Sequence, residues 1–167
     1  MIVYVDGNSL LECLAAEDNP LVVEGDRDRT RRNLTHWLAR YCESRDCRGV
    51  VVFDGTRQGE VLSPVERRGP IKVLTTPHGV SAASEIVGPA NRAAHNEPVL
   101  VVTSDMRAAA DVSLGKAEAL SPAEFVARAR RGMRSGDEAV PDEPDAKFTG
   151  LDEGDVDFWL HYFGEED

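Results

Sequence analysis

The chain has no run of 18 apolar residues, and its apolar start, Ile2 to Val5, runs straight into Asp6 rather than into an apolar core behind a basic stretch. Neither a membrane span nor a secretory leader is expected, so the reading is a cytoplasmic protein without membrane contact. Cysteine is sparse and odd in number: Cys13, Cys42 and Cys47 form no CxxC pair and no His-linked pattern. A disulfide framework and a zinc site therefore both lack their residues. The chain also contains no GxxxxGK[ST], GxGxxG, GxSxG or HExxH. Nucleoside triphosphatase, dinucleotide, serine-hydrolase and zincin chemistries fall away with them, and carboxylate chemistry remains.

Lysine is scarce too, at Lys72, Lys116 and Lys147, so arginine supplies nearly all of the positive charge. Its planar fork suits phosphate better than an ammonium does. The net charge of -11 is unevenly spread. Residues 137–167 hold twelve acids against the single Lys147, which accounts for all of it, and residues 1–136 carry equal numbers of acids and bases. The larger part is formally neutral and open to an RNA partner.

What is present in strength is a repeated pattern. Ile2-Val3-Tyr4-Val5 ends in Asp6-Gly7-Asn8, Val50-Val51-Val52-Phe53 ends in Asp54-Gly55, and Val99-Leu100-Val101-Val102 leads through Thr103-Ser104 to Asp105. Unbroken apolar runs of this length fit parallel strands covered on both faces, with Gly7 allowing a sharp turn. Open α/β sheets work at the carboxyl ends of such strands. One Asp in this position is most simply a helix cap or turn starter. Three on neighbouring strands about 4.8 Å apart would repel unless a cation offset them, which points to a divalent metal.

These residues, with Leu120-Ser121-Pro122-Ala123-Glu124-Phe125 further on, resemble the PIN-like nuclease superfamily and within it the NYN-domain, YacP-like ribonucleases. The resemblance spans roughly residues 1–131. It implies an α/β fold, a three-layer α/β/α sandwich around a parallel five-stranded sheet, with acids that hold Mg²⁺ or Mn²⁺ for RNA cleavage. The chain departs from that pattern in one place. The family's Ala-Asp-x-x-Ile-Glu run corresponds here to Ala82-Ala83-Ser84-Glu85-Ile86-Val87, so its Asp falls on Ala83 and its Glu on Val87. Glu85 lies two residues from each and points away from their shared helix face, leaving its role uncertain.

The strands are expected near 1–5, 50–54, 71–75, 99–103 and 117–120, in spatial order 3-2-1-4-5 with right-handed crossovers. Helices are expected after Asn8, which can cap the first; over 25–45, with the stripe Leu34, Trp37, Leu38, Tyr41, Cys42; over 81–95, kinked or split at Gly88-Pro89; over 106–114; and from Ser121-Pro122. Thr56 to Pro70 has no apolar periodicity and reads as a flexible loop. Residues 1–134 make the domain. Residues 135–148 read as an acidic linker, and 149–167 as an aromatic helix with Phe158, Trp159, Tyr162 and Phe163 followed by an acidic tail.

The expected function is a metal-dependent ribonuclease with Asp6, Asp54 and Asp105 as catalytic and metal-binding residues, and with Asn8, Ser104, Arg57 and Arg107 contacting substrate. The alternative is a weakened PIN-like domain that binds RNA or a protein without cutting. A ribosome or protein partner and the oligomeric state stay open.

Overall fold

The computed structural model describes residues 1–55 and 65–136. The elements are β1 (Ile2–Asp6), α1 (Gly7–Ala16), α2 (Arg27–Ser44), β2 (Arg48–Gly55), β3 (Glu66–Arg68), β4 (Ile71–His78), α3 (Ala82–Ala93), β5 (Val99–Val102), α4 (Met106–Ser113), β6 (Glu118–Leu120) and α5 (Pro122–Gly136). The strands join in one sheet, ordered β3-β4-β2-β1-β5-β6. The five strands read from the apolar runs pair in parallel and stand in the expected order.

The sheet has one strand more than expected. Glu66-Arg67-Arg68, inside the stretch read as a loop, pairs antiparallel with the start of β4. All three residues are exposed, so no apolar alternation marks them in the sequence. Gly69, at a φ of 55°, turns the chain back between the two strands, a conformation that glycine takes without a Cβ clash.

Helices cover both faces. Ile2, Tyr4, Val52, Val99 and Val101 pack with Ala82, Ile86 and Ala90 of α3 and Val112 of α4. On the opposite face α1, α2 and α5 pack together. Phe125 of α5 is fully buried and meets the rings of Trp37 and Tyr41 on α2 edge-on, at centroid distances of 6.0 and 5.1 Å. This is the expected three-layer arrangement.

Helix α3 is not split at Pro89, one of the two outcomes expected there. Proline removes the hydrogen bond to the Glu85 carbonyl, but Ile86 and Ala90 on either side are anchored in the buried cluster, and that packing holds the helix together. Helix α5 continues through Gly136, two residues into the expected linker. Residues 56–64, which include Arg57, and residues 137–167, which hold the rest of the linker and the expected aromatic helix, lie outside the described residues. Among the described residues no helix is long and apolar enough to cross a membrane.

Candidate active site

Strands β1, β2 and β5 are neighbours and end at one edge. Asp6 stands opposite Val52 of β2, and Val5 opposite Val102 of β5. Asp54 therefore lies two residues beyond the level of Asp6 on one side, and Asp105 two residues beyond it on the other.

Each carboxylate is tied to the start of a helix. Asp6 is 6% exposed; its carboxylate Oδ1 accepts the Ser9 N–H at 3.2 Å and caps α1. Its Oδ2 accepts hydrogen bonds from Ser9 Oγ at 2.7 Å and Thr103 Oγ1 at 3.1 Å. Asp105 caps α4, with Oδ1 accepting the Ala108 N–H at 2.9 Å. Asp54 reaches α3, where Oδ1 accepts the Ala82 N–H at 2.6 Å. These bonds satisfy otherwise unpaired donors at three positive helix ends.

The local role of these acids explains a difference from the expected metal cage. Among the described residues no group of three or more His, Cys, Asp or Glu side chains is arranged to hold a metal ion. A carboxylate bonded to a helix N–H is aimed at that helix, and the three helices begin at different points along the edge.

Asn8 does not cap α1, because Asp6 does. Its side-chain amide instead donates to Asp54 Oδ2 at 3.3 Å, while its carbonyl oxygen accepts the Asp54 N–H at 3.2 Å. Ser104 is exposed, and its hydroxyl lies 2.8 Å from that of Ser9. Arg107 is exposed in the first turn of α4. On α3, Glu85 is exposed whereas Ala83 is buried and Val87 packs against the core cluster.

Sequence reading did not assign site roles to Ser9, Thr103 or Arg31. Ser9 follows its capping Asp6 by three residues, a spacing close to that of a capping box, and that signal could have found it. Thr103 is identified only by the β1–β5 register. Arg31 donates from Nη2 to the Asp54 carbonyl at 3.2 Å, with its guanidinium 4.7 Å from the centre of the Phe53 ring. The end of β2 is held further by Thr76, whose Oγ1 accepts the Gly55 N–H at 3.1 Å and donates to the Val80 carbonyl at 2.6 Å. Away from these acids, burial pushes both the Cys42 and the Cys13 thiols up from their ordinary range.

A family model described as the YacP-like NYN domain matches residues 3–152. Among solved structures the chain is similar to Rae1 (YacP) from Bacillus subtilis, at 22% identity and a TM-score of 0.63 over 83% of this chain and 78% of that one. A single-substitution mutant of the same protein is similar at 19% identity and a TM-score of 0.64, over 87% of each chain. At these identities the likeness is one of fold. No curated protein matches the chain.

Proposed function

Because the chain belongs to the YacP-like NYN domain family, we propose that it is a ribonuclease that cleaves RNA phosphodiester bonds where β1, β2 and β5 end. The observation that carries this reading is the delivery of Asp6, Asp54 and Asp105 to one edge by three separate buried strands. Capping accounts for an acid at the start of α1 and of α4, but Asp54 precedes no helix of its own and reaches α3 across 28 positions.

Of Asp6, Asp54 and Asp105, one or two would hold an Mg²⁺ or Mn²⁺ directly and the rest would act through its water shell. Their donor set fits a hard cation, being carboxylate oxygen without thiolate. Mg²⁺ is commonly held by one or two carboxylates, with water and substrate phosphate completing its shell, so a closed protein cage is not required. When bound, such an ion activates water and offsets charge developing on the phosphate.

The protein's own groups do the positioning. Asn8 and the Ala82 N–H fix the rotation of the Asp54 carboxylate, and Arg31 fixes the backbone behind it. Arg107 stands exposed beside Asp105, where its fork suits a phosphate oxygen pair. Arg57 is proposed as a second phosphate contact on sequence grounds.

The test is cleavage of single-stranded RNA by the full chain in millimolar Mn²⁺, compared with Asp105→Asn. Asparagine also caps helices well, so the variant should keep its fold. Loss of cutting by about 100-fold or more is expected, as for removal of a group stabilising developing charge. RNA left intact by the wild-type protein overturns the ribonuclease reading. If that protein still binds RNA, the non-cutting binding module takes its place. Ala83 and Val87, standing where the resembled family carries acids, are the observation in favour of that second reading.

A further inference from the structure

Two chains of hydroxyl groups converge on Asp6, and their protons can be placed by counting. Ser9 Oγ gives its one proton to Asp6 Oδ2 at 2.7 Å. In its 2.8 Å contact with Ser104 Oγ it can therefore only accept, and Ser104 must donate. The second chain runs the same way: the Asp105 N–H donates to Thr103 Oγ1 at 3.1 Å, which donates to Asp6 Oδ2 at 3.1 Å. The Ser9 N–H on Oδ1 keeps the carboxylate from rotating out of this arrangement.

The consequence falls on Ser104, the exposed end of the longer chain. With its proton directed inward, its oxygen offers the surface lone pairs alone. A phosphate oxygen brings no proton to such a group. A ribose 2′-hydroxyl does, and it is the group by which a protein tells RNA from DNA. Resting on the ribonuclease reading above, we propose that Ser104 Oγ, oriented by Ser9 and Asp6, accepts a hydrogen bond from a 2′-hydroxyl and so selects RNA over DNA. Ser104 is then a specificity residue, and Ser9 a positioning residue that acts through it. This gives the substrate contact expected of Ser104 a specific partner.

The experiment is fluorescence anisotropy of the full chain, without added divalent ion, on a labelled single-stranded RNA, the same sequence as DNA, and its 2′-fluoro form, which cannot donate. The wild-type protein is expected to bind RNA more tightly than either analogue. Ser104→Ala should lose about 3- to 10-fold on RNA, the range of a single neutral hydrogen bond, and little on the other two. Ser9→Ala frees the Ser104 proton and should reproduce that loss, whereas Ser104→Thr keeps the hydroxyl and should restore the preference. Equal affinity for all three probes, or an equal loss on all three in Ser104→Ala, overturns the inference. In that case cleavage of RNA would leave the ribonuclease reading standing. Failure to bind any probe also overturns the inference, and the ribonuclease reading is then decided by cleavage in Mn²⁺ alone.

Discussion

At the scale of single residues, Gly7 shows how closely the core and the candidate site are joined. Its expected use was a sharp turn, yet it lies in the first turn of α1 at no positive φ. What it supplies is space: a Cβ there would run into the Phe53 ring, with Cζ at 3.1 Å. That ring lies under Arg31, whose guanidinium holds the Asp54 carbonyl. Gly7→Ala is therefore expected to cost about 1–3 kcal/mol by overpacking, read as a lower midpoint in urea unfolding. It should also weaken RNA cleavage by displacing Arg31. Unchanged stability would mean that Phe53 moves aside freely.

The same scale shows the limit of what the sequence discloses about the site. The ends of the apolar runs place Asp6, Asp54 and Asp105 at an edge. The partners of their oxygens depend on register and helix entry, which no local pattern records. Thr103 reaches Asp6 across 97 positions, and Asn8 reaches Asp54 across 46.

Among the elements, the buried strands were legible because a strand covered on both faces must be apolar throughout, as β5 is with four buried residues. β3 was not, since an edge strand can be wholly charged and still pair. Pro89 did not split α3 for the opposite reason: a local rule was outweighed by the burial of Ile86 and Ala90. The start of α5 obeyed its local rule. Glu124 Oε2 accepts from Ser121 Oγ at 2.7 Å and from the Ser121 N–H at 2.9 Å, and these bonds hold its carboxyl below the ordinary value. A depressed carboxyl contributes stability above its unfolded value and loses it as pH falls through the folded one. Thermal melts carried from neutral pH down through the carboxylate range should show wild type losing an advantage over Glu124→Gln as the pH falls. A constant difference across that range would reject this assignment.

For the whole molecule, charge is divided along the chain: residues 1–136 are balanced and residues 137–167 carry the entire -11. An acidic segment competes with phosphate for arginine and raises the repulsion an approaching RNA meets. A chain ending at Gly136, which closes the larger compact unit, is expected to bind single-stranded RNA more tightly than the full chain, with the gap narrowing as salt is added. Equal or weaker binding by the shorter chain in low-salt anisotropy measurements would rule out this electrostatic brake.

The short strand β3 bears on how copies of the protein behave when crowded. Without it, β4 would present the backbone of its first residues as a ready template for another molecule's strand. Glu66, Arg67 and Arg68 occupy that side instead, pairing with Val73, Lys72 and Ile71. A stranger's strand arriving there meets an edge only three residues long whose exposed side chains carry charge of both signs. Three residues with no core to fill thereby guard the sheet against intermolecular strand addition, and their contribution belongs to solubility more than to folding.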